Sequence, residues 1–343
     1  MDRQFYLDLA GAGLRMPIGT HLVLHEHPDR EALLRDGRRL AAVVREAALR
    51  FQTPLAIPLM DLTLEKAALL KAAGIVEGET EAYHFVEPLT SEPLFQLTPK
   101  MAATCQALGY LAGQNDLLPV GMTIGPFSLT TKLMSDPITP VFLAGTGSTP
   151  SQEPEINLLE HLLSLATDMI LYYVEAQIEA GAKALIVCEP AASIAFFSPN
   201  QLARSFGLFE RLVMEPNRRI KALLADRGVD LLFHDCGELV EGMIRRFATL
   251  DPALLSLGSS RRLWEDATLV PKSTVLYGNL PTKRFYSDAL LSLDEVRRLS
   301  SELLERMRGA QHPFILGSEC DVLSVPGSEQ TINAKVEAFL QRN

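Results

Sequence analysis

Short apolar runs alternate along the chain with longer stretches in which apolar residues recur at helical spacing. Seven of these runs have the length and composition of buried β-strands, and glycine, proline or polar residues follow them. They cover residues 55–60, 120–124, 184–188, 231–236, 254–258, 274–279 and 314–317. Because helices usually connect parallel strands, this alternation predicts a series of βα units.

The stretches between the runs predict helices. The strongest covers residues 156–180, and Gly181 ends it as the residue after the C-cap. Ser198 and Pro199 form an N-cap and first-turn pair, which predicts a helix that continues to about Asp226. Further helices are predicted over residues 29–51, 100–112, 238–248 and 293–307, and from Leu64, Ser128 and Ser328 onwards.

Two segments lack both patterns. Residues 1–28 are predicted to be irregular, because glycines interrupt them and a Met-Pro pair breaks any helix. Residues 135–154 are rich in Pro, Gly, Ser and Thr, which predicts a plain surface loop, with a regulated lid as the alternative. The interrupting residues of the first segment are Gly11, Gly13, Met16-Pro17 and Gly19.

Three histidines, His21, His25 and His27, lie in the first of these segments. Their spacing is compatible with a metal site. Strand-like alternation would equally place them together on a solvated face. Since no acidic or thiol partner accompanies them, we favour the solvated face.

At least seven βα units follow one another without a break in composition, and no linker marks a second domain. An α/β doubly wound sheet and a closed barrel both fit such a series, but the count of units favours a TIM (β/α)8 barrel. We therefore predict one α/β TIM-barrel domain over residues 1–343, in which residues 1–50 form an N-terminal extension and a helix.

The formal net charge of the chain is -10, which argues against nucleic acid or an anionic membrane as the main partner. No apolar run reaches the ~20 residues of a membrane span, and the first residues do not resemble a signal peptide. Four cysteines in 343 residues are too few for a disulfide framework. These features predict a cytoplasmic protein whose thiols are buried, nucleophilic or metal-binding.

Six polar residues come at or just after the ends of predicted strands. In a βα barrel that face carries the active site, so these side chains should converge around one mouth. They are Asp61, Glu189, His234, Cys236, Asn279 and Cys320. We predict Glu189 and Asp61 as catalytic residues and Asn279 and Ser193 as cofactor-binding residues. Glu189 and Asp61 are equally well explained as carboxylates that interact favourably with the dipole at the start of a helix and have no catalytic role. Ser193 is the weakest candidate.

His234 and Cys236 are two residues apart in a strand, so their side chains should point to the same face. Imidazole and thiolate together bind borderline cations such as Zn²⁺. Cys320, at an equivalent strand end, is the natural third ligand, and three protein ligands leave the fourth position of a catalytic zinc site open. The alternative is a packed strand edge without metal. No other potential metal ligand accompanies Cys105 or Cys188 in this way. Cys188 lies inside an apolar run and is therefore interpreted as a thiol of the core.

From about Leu55 to its C-terminus the chain resembles the uroporphyrinogen decarboxylase superfamily. Within it, the chain is most similar to the zinc-dependent cobamide methyltransferases, whose familiar member is methylcobamide:coenzyme M methyltransferase. The combination of motifs is specific, although each motif alone is not. The matching segments are residues 125–129, 176–182, 189–193, 198–199, 234–237 and 278–279, together with Cys320.

This resemblance implies a TIM barrel and a zinc site formed by His234, Cys236 and Cys320. It also implies that Glu189 lies near the metal and can become a further ligand when no thiol is bound. The implied function is methyl transfer between a methylcobamide or corrinoid protein and a small-molecule thiol, or from a methylated donor to the corrinoid. The corrinoid is expected on a separate protein.

The runner-up is a metal-free decarboxylase of the same superfamily. That branch uses two arginines around an Ala-Gly pair to hold propionate groups, whereas residues 7–20 contain only Arg15. It also tends to have histidine in place of Cys320. A barrel with a vestigial site that only binds a ligand or partner is the non-catalytic alternative.

Overall fold

Eight parallel strands form the centre of the molecule. The computed structural model describes residues 3–75, 82–91 and 93–341 of the chain. The strands are β1 Arg15–Ile18, β2 Leu55–Ala56, β3 Leu118–Ile124, β4 Ala184–Cys188, β5 Asp230–Asp235, β6 Leu254–Leu257, β7 Val275–Leu280 and β8 Phe314–Asp321. Their hydrogen-bonded order is β1-β8-β7-β6-β5-β4-β3-β2. Each strand from β3 to β8 pairs with its predecessor and β1 pairs with β8, so the predicted TIM-type α/β barrel is confirmed.

Sixteen α-helices lie in the described part of the chain, most of them packed around the sheet. They are α1 Gln4–Gly11, α2 Thr20–His25, α3 Arg30–Leu33, α4 Gly37–Arg50, α5 Leu64–Ala72, α6 Pro99–Gln114, α7 Pro126–Leu133, α8 Ile138–Thr146, α9 Pro154–Glu179, α10 Pro199–Arg204, α11 Gly207–Phe209, α12 Glu215–Asp226, α13 Glu241–Thr249, α14 Leu263–Asp266, α15 Leu293–Ala310 and α16 Glu329–Leu340. A π-helical turn covers Glu210–Met214 and a 3-10 turn covers Thr282–Arg284.

The prediction that residues 1–28 are irregular is wrong. They contain α1, α2 and the first barrel strand, β1. β1 tolerates Pro17 because the paired positions are Arg15, Met16 and Ile18, and the pairing with β8 is irregular at the proline. A missing N–H therefore costs no regular ladder bond there. His21 and His25 lie on helix α2, not on a strand-like face.

The plain loop predicted over residues 135–154 is also wrong in part, because α8 forms within it. Asp136 Oδ1 accepts hydrogen bonds from the backbone N–H groups of Ile138 and Thr139. Pro140 sits in the first turn, where a helix has no internal use for its N–H. Gly147 ends the helix at φ 101°. The single helix predicted from Ser198 to Asp226 is instead divided into α10, α11, the π-turn and α12.

Alternate residues of the strands face two different cores. The inner core fills the barrel with side chains such as Ile186, Leu232 and Ile315. The outer core lies between sheet and helices, and Leu231 and Phe233 belong to it. α1 extends the inner core, since Tyr6 is fully buried there and its hydroxyl donates to Asp230 Oδ2 at 3.0 Å. The alternation that turns Leu232 towards the inner core therefore also turns His234 and Cys236, two and four positions later, towards the same side.

Side chains close the seam where β8 meets β1. The Tyr277 hydroxyl donates to Met16 O at 3.0 Å and accepts from the backbone N–H of Ser318 at 3.2 Å. The Ser318 hydroxyl in turn accepts from Ile18 N at 2.9 Å. Gly317 lies under the Tyr277 ring, and a Cβ there would come within 2.3 Å of it. Only glycine leaves the ring of Tyr277, on β7, room to reach β8 and, beyond it, β1.

Tyr277→Phe is expected to lower the free energy of unfolding by about 1–3 kcal/mol, because it removes the buried hydrogen bonds that the hydroxyl makes with Met16 O and Ser318 N. The measurement is the shift of the urea or thermal midpoint. Tyr286→Phe is the matched control, since Tyr286 is exposed. Equal shifts in both variants would show that the Tyr277 hydroxyl does not hold the seam.

Candidate metal centre

Three of the predicted site residues meet at the C-terminal end of the barrel. The ligand atoms of His234, Cys236 and Cys320 all lie within 4.8 Å of one another. Within the described ranges, no other three His, Cys, Asp or Glu side chains come together closely enough to hold a metal ion. His234 is buried, whereas Cys236 and Cys320 are partly exposed at the mouth. Metal–ligand lengths of about 2.0–2.3 Å can join donors this close after small rotations.

His234 and Cys236 reach the centre by the alternation of β5. Leu232 faces the barrel interior, and the next residues on the same face are His234 and Cys236. Asp235 points the other way, and its Oδ1 accepts the backbone N–H of Gly237 at 2.7 Å. That bond fixes the turn that follows Cys236 and so fixes the direction of its thiol.

Cys320 reaches the centre through an irregularity in β8. Ile315 faces the interior, so strict alternation would place Glu319 there and turn Cys320 away. However, Met16 pairs with Gly317 and Ile18 pairs with Asp321, so four residue steps on β8 match two on β1. The pairing of the strand is therefore irregular just before Cys320, and such irregularities re-aim side chains. Cys320 points into the mouth, where its Sγ lies 3.8 Å from Met60 Sδ.

The imidazole of His234 is held in a position suited to metal binding. Its Nδ1 lies 2.8 Å from the Ser256 hydroxyl on the adjacent strand β6. Its Nε2 is buried and has no hydrogen-bond partner among the described residues. A buried polar atom without a partner is rare, and a metal would satisfy it. A second partner on the other ring nitrogen is the usual way in which proteins orient a histidine ligand.

The two thiols are electrostatically unequal. A hydrogen bond with Cys320, and then contact with His234, lowers the pKa of the Cys236 thiol well below its ordinary value. The same bond, together with burial, raises the pKa of Cys320. The pair therefore holds one proton tightly and releases the other easily. Since a thiolate is the form that ligates metals, the site is prepared for a cation.

Lys283 is a site residue that the sequence interpretation missed. Its Nζ lies 3.7 Å from Cys236 Sγ, and its backbone N–H donates to Glu319 Oε1 at 3.3 Å. The side chain is exposed at the mouth and adds a positive charge beside the thiols. Lys283 follows the end of β7 by three residues, and this position near a strand end is the sequence feature from which it could have been predicted.

The structure does not bring Glu189 into this group. Cys188 faces the barrel interior, so Glu189 faces outward. Its Oε1 accepts from Ser128 N at 2.6 Å, at the start of α7, and its Oε2 accepts from Asn217 at 2.9 Å. Burial raises its pKa in spite of these bonds. In this arrangement Glu189 joins the end of β4 to two helices.

Asn279 and Ser193 lie close to the centre but contact loops. Asn279 Nδ2 donates to Gly258 O at 2.8 Å and to Arg261 O at 2.9 Å. Gly258 packs so closely on Cys236 that a Cβ there would lie 2.7 Å from its carbonyl oxygen. Ser193 packs in the same way against Gly237. Both residues therefore support the backbone around Cys236.

Asp61 lies at the edge of the mouth, directly after Met60. Its Oδ1 accepts from Thr63 N at 3.0 Å and from the Thr63 hydroxyl at 2.6 Å. It is not one of the three clustered residues. Its predicted catalytic role stays a prediction.

Comparisons with known proteins agree with this fold. The family model Uroporphyrinogen decarboxylase (URO-D) matches residues 27–340, and the chain therefore belongs to this family. It is also similar in structure to a methyltransferase from Methanosarcina mazei, with a TM-score of 0.65 and 16% identity over 98% of this chain and 97% of that one. No curated protein has a significantly similar sequence. Among the described helices, none is long and apolar enough to cross a membrane.

His234→Ala and Cys320→Ser are each expected to abolish stoichiometric zinc binding, because two ligands hold the cation far more weakly than three. Zinc per chain is measured by elemental analysis after dialysis, and about one equivalent is expected for the unmodified protein. Cys105→Ser is the control, since this thiol lies away from the mouth. A metal-free protein that folds normally in zinc-containing medium contradicts the site.

Ser256→Ala is expected to weaken zinc binding by about 10–100-fold, because the imidazole of His234 loses the hydroxyl that orients it. Competition with a chelator measures the affinity. Ser300→Ala serves as the control, because Ser300 is a buried serine on α15 whose hydroxyl donates to Val296 O. Equal affinities in the two variants would show that Ser256 does not support the ligand.

Proposed function

We propose that this protein is a zinc-dependent corrinoid methyltransferase. It would move a methyl group between a methylcobamide, free or on a corrinoid protein, and a small-molecule thiol or methylated donor. The observation that carries the proposal is the buried, unpartnered Nε2 of His234 beside the thiols of Cys236 and Cys320. A decarboxylase that works without metal has no need for such a donor set.

The donor set fits zinc in both number and chemistry. His234 Nε2, Cys236 Sγ and Cys320 Sγ would hold the ion, and three protein ligands are the number found in catalytic zinc sites. Bound there, zinc would supply the Lewis acidity that lets a coordinated thiol lose its proton near neutral pH. Family membership and the similar methyltransferase structure support the proposal at the level of the fold.

The residues of the chain would prepare the reactants around this centre. Ser256 holds the imidazole of His234, and Lys283 stabilises negative charge on Cys236. Met60 lines the wall beside Cys320 with an apolar, flexible side chain, which helps to keep water from a reactive thiolate. The open end of the barrel is where a corrinoid could approach. The barrel's contribution is therefore to position the reactants and to limit solvent.

The reaction balances in the direction of thiol methylation as follows. The thiol releases its proton to solvent, and its sulfur forms a bond to the methyl carbon. The cobalt–carbon bond breaks, and cobalt keeps the electron pair as Co(I). In the opposite half of a corrinoid pathway, Co(I) would give its electron pair to the methyl carbon of an ether, amine or thioether; the C–O, C–N or C–S bond would break, and the leaving group would take up a proton from solvent. Both directions are compatible with the same residues.

Arg15 argues against the decarboxylase alternative. It is the only arginine of residues 7–20, and it begins β1 at the end of the barrel away from the mouth. Its guanidinium donates to Phe339 O at 3.1 Å and also to the carbonyl of Gln341, at the end of α16. Arg15 thus holds the last helix and is not placed to bind a carboxylated substrate.

Zinc-loaded protein is expected to convert methylcobalamin to cob(I)alamin in the presence of a suitable thiol, or to methylate cob(I)alamin from a methylated donor. The cobalamin spectrum under anaerobic conditions measures both, with free cobalamin and with a corrinoid protein. Cys236→Ser should lower the rate at least about 100-fold, since both the metal and the thiolate environment are lost. Cys105→Ser is the matched control.

The same preparations are assayed for decarboxylation of uroporphyrinogen. Decarboxylation by metal-free protein, or the absence of methyl transfer in both directions from a protein that contains zinc, would contradict the proposal. A panel of anionic and neutral thiols identifies the acceptor class in the same experiment.

A further inference from the structure

The thioether of Met60 borders the candidate metal centre. Met60 follows β2 by four residues and packs against the inner core of the barrel, as Leu62 does. The residue is partly exposed at the mouth, and its Sδ lies 3.8 Å from Cys320 Sγ. Met60 therefore presents a further donor atom beside one of the three predicted ligands.

The distance between these two sulfur atoms is the one that a shared metal ion requires. In a tetrahedral site with metal–sulfur bonds of about 2.3 Å, two sulfur ligands lie about 3.8 Å apart. Cys320 Sγ and Met60 Sδ have this separation. Methionine has three rotatable side-chain bonds, so Met60 can adjust to a cation that His234, Cys236 and Cys320 hold.

No carboxylate in the described part of the chain takes this place. The cluster of potential ligand atoms contains no Asp or Glu side chain. Glu189, the residue that the family resemblance implies for this role, turns outward and accepts hydrogen bonds from α7 and α12. Glu319, next to Cys320, accepts hydrogen bonds from the segments that follow β6 and β7. The fourth position of the centre is therefore left to water or to Met60.

The chemistry of a thioether suits a position that a substrate must be able to enter. A thioether is a soft, neutral donor, whereas the usual zinc ligands are thiolate, imidazole and carboxylate. It consequently binds more weakly than these groups and is easily exchanged. While it is bound it also excludes water, which zinc would otherwise convert to a competing hydroxide near neutral pH.

We propose that Met60 Sδ is the fourth ligand of the metal ion in the resting protein and that an incoming substrate thiol displaces it. The bond between the metal and Met60 Sδ breaks, the bond between the metal and the thiol sulfur forms, and the thiol proton passes to solvent. This inference rests on the zinc site of the proposed function, but it does not depend on the direction of methyl transfer.

The test is X-ray absorption at the zinc edge on zinc-loaded, full-length protein that is produced with selenomethionine. Selenium scatters more strongly than sulfur, so a methionine bound to zinc is distinguished from the two cysteine thiolates. The chain has 10 methionines, and a zinc–selenium contact is expected from Met60 alone. Met60→Leu should abolish this contact and retain zinc, because the three other ligands remain. Met307→Leu, at a buried methionine of α15, is the matched control and should keep the contact.

Displacement is measured on the same protein with excess 2-mercaptoethanol as the probe. The thiol is expected to remove the zinc–selenium contact and to add one zinc–sulfur contact. A selenium contact that persists beside the new sulfur would show that Met60 does not yield, and this part of the proposal would be wrong. The same conclusion follows if saturating thiol adds no sulfur contact.

The spectrum of the unmodified protein separates failure of this inference from failure of the proposed function. Zinc bound by two sulfurs, one nitrogen and one oxygen, without selenium, would overturn the role of Met60 and leave the zinc site intact. A correctly folded protein that binds no zinc would overturn both. Because this measurement needs no variant, the outcome does not depend on whether Met60→Leu folds.

Discussion

The alternation of side chains along parallel strands is the constraint on which the candidate site depends. In β5 it separates Leu231 and Phe233, which pack under the helices, from the series that continues through His234 to Cys236. A shift of one residue would bury the two ligands beneath the outer layer and expose apolar side chains to the barrel. The apolar pattern that stabilises the core therefore also determines that the side chains of His234 and Cys236 point towards the mouth of the barrel.

Most of the architecture could be predicted from the sequence, because seven strands are compact apolar runs separated by long helices. β1 was missed since it is four residues long and contains Pro17, so its stability comes from β8 and not from its own propensity. α8 was missed because Pro140 and Gly147 read as loop residues, although both occupy helix-end positions where their chemistry is favourable. Local composition cannot distinguish a helix terminus from a loop when tertiary packing decides.

The candidate site could be predicted in part, and its limits have a physical cause. That His234, Cys236 and Cys320 would come together followed from their positions at strand ends, and the structure brings them within ligand distance. Strand-end position does not say which face a side chain takes. Glu189 follows the inward-facing Cys188 and therefore turns to α7. Cys320 departs from strict alternation where the pairing of β8 with β1 is irregular, and no pattern within β8 reveals that irregularity.

The pairing of β1 with β8 also affects how the protein is made. Arg15 pairs with Leu316, about 300 residues later in the chain. At ribosomal rates of roughly 5–20 residues per second, β1 must wait on the order of 15–60 s for this partner. Until then the edge of β1 that β8 later covers is unpaired, and unpaired edges invite association between chains. Cys320 lies on the same late strand, so the candidate metal site cannot form before β8 has been synthesised.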